Sequence, residues 1–111
     1  FYWHSRQLHP TNPLYSSFKR FVMSNQPSSI NDWDHYTDRD QLQVDHVVLY
    51  HELYETVPLL GIPGWEQLKV HRWLADYRPE DPYQSYYDVE SRQHIQEIYA
   101  KPIQEFNFQF D

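Results

Sequence analysis

Three groups of residues carry side chains suited to chemistry. The first is basic. Lys69, His71, Arg72, Tyr77 and Arg78 lie close together in a chain whose formal net charge is −7. Cations gathered in an acidic protein suit contact with a phosphate or an adenine ring. The bland alternative is a solvated turn whose charges pair with Asp76, Glu80 or Asp81. Arg6 is a further cation near the start of the chain. On a helix, His4 and Ser5 could share its cleft, although an exposed helix end is the first expectation.

The second group is His51-Glu52, directly after an apolar run. At the carboxyl end of a strand in an open α/β sheet these residues would face a ligand crevice, and either could serve as a catalytic base. A Glu there also serves by hydrogen-bonding backbone or pairing with an Arg, and that structural role is the first expectation. His51-Glu52-Leu53-Tyr54-Glu55 misses the His-Glu-x-x-His zinc pattern at its last position, and no other metal-ligand spacing occurs, so no metal site is expected. The third group is Tyr83, Tyr86 and Tyr87. Their rings could form a platform for a sugar, or fill a gap between loop and helix with the hydroxyls at the surface.

These side chains depend on the elements that hold them. Residues 1–9 read as a helix end that Pro10 and Pro13 stop. Ser16 or Ser17 offers an N-cap to a short helix carrying Phe18, Phe21 and Val22, which Asn25 and Pro27 end. Residues 26–40 are polar and read as irregular, anchored by Trp33 and Tyr36. Gln43 to Tyr50 reads as the one clear buried strand. Val47-Val48-Leu49-Tyr50 is continuously apolar and rich in β-branched residues, as in a parallel sheet covered by helices.

Glu52 to Leu60 places Leu53, Val57 and Leu60 on one side, with Thr56 and Pro58 at a first turn and Gly61 as terminator. Residues 62–87 hold three prolines and many aromatics and read as an ordered loop with one turn of helix. The last helix starts at Asp88 as cap with Glu90 at its positive end, carries Ile95, Ile98, Tyr99, Ile103 and Phe106, and is kinked by Pro102. The alternation from Phe106 to Phe110 predicts a short terminal strand. The fold class expected is α/β: mostly helical in these residues, with one buried strand.

Bulk properties narrow the function. The 111 residues suffice for one modest domain. The acidic balance disfavours nucleic acid as a partner. No apolar stretch approaches the ~20 residues of a membrane span. The chain has no cysteine, so it has no disulfide and no thiolate metal site. Without a signal segment, this is read as a cytoplasmic setting, or a Golgi lumen if an anchor precedes. Two glycines and no Gly-Lys-Ser/Thr run leave no phosphate-cradling loop of that type within these residues.

The order of motifs resembles a known family. The chain opens with Phe-Tyr-Trp-His-Ser-Arg, followed by Ser-Phe-Lys-Arg-Phe-Val at 17–22 and Val-Asp-His-Val-Val-Leu-Tyr-His-Glu-Leu at 44–53. Leu-Leu-Gly-Ile comes at 59–62, Tyr-Tyr-Asp-Val-Glu-Ser at 86–91, and Ile-Tyr-Ala-Lys-Pro-Ile-Gln-Glu-Phe-Asn-Phe at 98–108. Together these resemble the C-terminal part of the P-loop-type sulfotransferase family, in the branch of bacterial and Golgi carbohydrate sulfotransferases.

The resemblance implies a single partial domain over residues 1–111, belonging to a three-layer α/β/α fold. It implies transfer of a sulfuryl group from 3′-phosphoadenosine-5′-phosphosulfate (PAPS) to a hydroxyl or amine, on a carbohydrate or small molecule. The family's 5′-phosphosulfate loop and its 3′-phosphate Arg and Ser would precede Phe1, so the chain alone is expected to be inactive. Lys69, Arg72, Arg78 and Arg6 are then the candidate donor contacts, Glu52 and His51 the candidate catalytic residues, and Tyr83 and Tyr86 the candidate acceptor contacts. The alternative is an aromatic-rich glycan-binding module without catalysis, or a degenerate remnant.

Overall fold

The computed structural model describes residues 1–69 and 75–110, with backbone alone for Leu68, Lys69 and Ala75. Among them the chain is mostly helical, with one small antiparallel hairpin. Helix α1, Tyr2–Leu8, runs to the Pro10–Pro13 segment. Helix α2, Phe18–Val22, starts where the Ser17 hydroxyl accepts the Arg20 N–H, the cap expected from its type. Tyr2, Phe21 and Val22 form the core, with Trp3, Leu14, Tyr15, Phe18, Tyr87 and Ile95 packed around it. The core is built largely of rings: Tyr2 meets Phe18 and Phe21 at 5.3 Å each, and Phe18 meets Tyr87 at 5.0 Å edge to face.

Pro27 opens an element where it was expected only to end one. It sits in the first turn of α3, Gln26–Ser29, where its missing N–H costs nothing. Helix α4, Trp33–Tyr36, then leads into β1, Thr37–Asp38, and β2, Gln41–Leu42. Trp33 is buried, as its role as an anchor required. Its indole donates to Asp40 Oδ1 at 2.9 Å, and Lys101 Nζ reaches the same oxygen at 2.9 Å. Those two donors hold the Asp40 carboxyl below its usual range, Lys101 contributing most.

The buried strand at 43–50 is not formed. The Gln43 N–H reaches Tyr36 O at 2.9 Å, but residues 43–49 enter no ladder. Val47 is 43 % exposed and Tyr50 89 %. A β-branched run becomes a strand only where an adjacent strand takes its N–H and C=O groups. The hairpin nearby pairs only with itself. Val47, Val48 and Leu49 instead lie along a groove shared with Tyr36, Pro102 and Phe106.

Helix α5, Leu53–Thr56, passes into a 3-10 turn at Val57–Leu60 with Pro58 in its first turn, ended by Gly61 in the left-handed region at φ 69°. Three further 3-10 turns, Trp65–Lys69, Ala75–Tyr77 and Tyr83–Tyr86, punctuate the proline-rich stretch.

Helix α6, Val89–Ile98, begins with a reciprocal cap: Asp88 Oδ1 accepts the Ser91 N–H at 2.8 Å, and Ser91 Oγ accepts the Asp88 N–H at 2.9 Å. Lys19 of α2 clasps this cap, reaching Asp88 Oδ2 at 2.6 Å and Glu90 Oε2 at 2.8 Å. The expected kink is a full break. Helix α7, Ala100–Phe106, restarts after Tyr99. Pro102 has no N–H for the Ile98 carbonyl and its ring crowds that carbonyl. Asn31 Nδ2 donates to Ile98 O instead, at 3.2 Å.

The terminal strand is also absent. Asn107 ends α7 in the left-handed region, and residues 108–110 are irregular. Their alternation serves ring packing: Phe110 meets Tyr83 at 5.4 Å and Tyr87 at 5.3 Å. The radius of gyration is 16.3 Å, against about 13 Å for a compact chain of this length. Among the described residues, no helix is long and apolar enough to cross a membrane.

Candidate functional site

Helix α1 meets the 3-10 turn at Ala75–Tyr77, and the His4 ring lies 4.8 Å from that of Tyr77. This contact brings residues far apart in the sequence to two cavities that share Trp3. One, of about 370 Å³, is lined by Trp3, Arg6, Gln7, Pro10 and Tyr77. The other, of about 800 Å³, is lined by Trp3 and Phe18 and by residues 76–87, including Arg78, Tyr83 and Tyr86.

Trp3 reaches this position because α1 turns Tyr2 into the core and leaves its neighbour half-buried at the edge. Its indole stacks on Phe18 at 6.1 Å and meets Tyr86 edge to face at 4.9 Å. The Tyr86 hydroxyl donates to Asp81 Oδ2 at 3.0 Å. Tyr86 ionises above its ordinary range, first through desolvation and then through Asp81.

Four of the candidate residues therefore gather at Trp3: Arg6 in the smaller cavity, and Arg78, Tyr83 and Tyr86 in the larger. Neither Arg6 nor Arg78 makes an ion pair among the described residues. The pairing considered for Arg78 with Asp76, Glu80 or Asp81 is thus not made, although all four side chains line the same cavity.

Glu52 and His51 do not join them. They sit on the exposed 3-10 turn Tyr50–Glu52, paired with each other at 3.5 Å, and line neither cavity. Their assignment rested on the end of a strand, and without the strand there is no crevice mouth for them to face. Arg72, His71 and the side chain of Lys69 lie outside the described residues.

The site residue that sequence reasoning passed over is Trp3. It lies within residues 1–9, which read only as a helix end. Its signal was the adjacent Tyr2: two successive large aromatics on a helix cannot both enter one core. No group of His, Cys, Asp and Glu among the described residues is placed to hold a metal ion.

The arrangement offers a guanidinium beside two ring faces in one cavity, and an aromatic wall with mixed charge in the next. The first suits an anionic, ring-bearing molecule. The second suits a molecule with apolar faces and polar edges. No protein-family model matches the chain, and neither a curated protein nor a solved structure matches it.

Proposed function

We propose that the chain is part of a sulfotransferase-family domain of the three-layer α/β/α kind, transferring a sulfuryl group from PAPS to a hydroxyl or amine acceptor. The observation that carries this reading is the meeting, at Trp3, of an arginine-bearing cavity and an aromatic one. Donor and acceptor must sit side by side for in-line transfer.

In this reading Arg6 neutralises a phosphate of the donor, and Trp3 or Tyr77 packs on its base. The acceptor lies against Tyr83 and Tyr86. The acceptor oxygen or nitrogen forms the new bond to sulfur, the bond from sulfur to the bridging phosphate oxygen breaks, and 3′-phosphoadenosine 5′-phosphate departs with its electron pair. The acceptor proton passes to water.

Calorimetric titration with 3′-phosphoadenosine 5′-phosphate tests the donor side. Binding weakened about tenfold by Arg6→Ala is expected. No binding, or binding indifferent to Arg6, removes the donor assignment. A second reading, a carbohydrate-binding module without catalysis, is favoured by the roughly 800 Å³ aromatic cavity alone. Glycan-array binding with no response to the nucleotide would select it.

A further inference from the structure

The larger cavity has a chemistry more specific than an aromatic shelf. Trp3 and Tyr86 both line it and meet edge to face with 68° between their planes, with Phe18 stacked beside Trp3 and Tyr87 edge-on to Phe18. Among the described residues, the same cavity is lined by three carboxylates, Asp76, Glu80 and Asp81, and by the guanidinium of Arg78. One of the three is tethered to Tyr86, whose hydroxyl donates to Asp81.

Ring faces and excess carboxylates attract the same kind of ligand. The faces carry the negative end of the aromatic quadrupole and hold a cation within about 6 Å of the ring centre. The carboxylates give the cleft a negative field that concentrates cations and repels anions. A small hydrated metal ion cannot exploit the rings. A neutral sugar can use the faces but gains nothing from the surplus of charge. A cation with an apolar coat uses both.

We infer that the Trp3–Tyr86 cavity binds an organic ammonium ion, with its alkyl groups against the two rings and its charge balanced by Asp76, Glu80 and Asp81. The volume of about 800 Å³ leaves room for a larger molecule bearing that group. This deepens the transfer reading by naming the class of its acceptor, and rests on that reading only for the ligand's role as acceptor.

The test is calorimetric titration of the whole chain, without nucleotide, with choline and with its uncharged isostere 3,3-dimethylbutan-1-ol. Choline is expected to bind at least about tenfold more tightly. Asp76→Asn, Glu80→Gln and Asp81→Asn combined should abolish that preference and leave the melting temperature unchanged, because all three side chains are exposed. Raised salt should weaken choline and not the isostere. Equal binding of the two, or tighter binding of neutral N-acetylglucosamine than of choline, overturns the inference. Choline binding with no binding of 3′-phosphoadenosine 5′-phosphate would support the site while removing the donor assignment beside it.

Discussion

Residues 1–22 and residues 43–62 are comparably apolar, yet they end in opposite conditions. The first region buries Tyr2, Phe21 and Val22 in a mesh of rings that reaches across to Tyr87 and Ile95 of the last third of the chain. The second exposes Val44, Val47, Tyr50 and Leu59, the last at 84 %, and fully buries only Val57 among its described residues. Apolar content does not decide burial. The first region is helical, so its side chains at i and i+3 project together onto α6. The second is extended and then passes through single short turns of 3-10 and α-helix, and its apolar groups find no adjacent strand to collect them.

The sharpest test is to truncate one side chain in each region. Phe21→Ala should cost about 3–5 kcal/mol, a large part of the margin of a domain this size. Leu59→Ala and Val47→Ala should stay within about 0.5 kcal/mol, as surface substitutions do. Urea unfolding measures all three. A Val47→Ala cost near that of Phe21→Ala would mean that the 43–50 segment is paired after all, and the comparison would collapse.

A smaller effect is expected where the two ends of the first region's core are clasped. Asp88→Ala removes both the acceptor that caps α6 and the partner of Lys19, and should lower the melting temperature by about 5 °C. Lys19 and the Ser91 donors hold the Asp88 carboxyl well below its usual range. A depressed folded pKa contributes stability above the unfolded value of about 4 and loses it as pH falls toward the folded one. The gap between the native chain and Asp88→Ala should therefore be full at about pH 6 and narrow as the solution is acidified below about pH 4. A gap that stays constant would assign the effect to backbone capping alone.

A further small effect, of opposite sign, lies in the hairpin between the regions. Arg39 and Asp40 both take positive φ, 50° and 62°, in its two-residue turn. Asn is favoured over Arg at the first of these positions. Arg39→Asn should stabilise by about 0.5–1 kcal/mol and leave Trp33 fluorescence unchanged, because Asp40 keeps its contacts. A loss of stability would show that the Arg39 side chain contributes more than its turn geometry costs.

Local signals were legible where they act over three or four residues. Ser17 and Asp88 start their helices and Gly61 ends its turn as their types predict, because a cap needs only its own hydroxyl, carboxylate or missing Cβ. Pro102 announced a kink, but not that the helix would break fully or that Asn31 would take over the orphaned Ile98 carbonyl. The strand at 43–50 misled because β propensity reports a readiness to be paired, and pairing belongs to another segment. At the site, Tyr83, Tyr86, Arg6 and Arg78 were legible as chemically capable side chains. Glu52 and His51 were equally capable by type and were left outside.

What the sequence by itself determined is a chain of short helices, their capped ends, an acidic balance and a store of rings. Each follows from the residue and its near neighbours. What only the tertiary structure decided is that Trp3 lines two cavities, that Arg6 shares one of them with Tyr77, and that three carboxylates share the other with Trp3 and Tyr86. Those contacts join positions more than sixty residues apart. Closing such a loop costs entropy that no local preference repays, so packing of α1 on the Ala75–Tyr77 turn had to settle it.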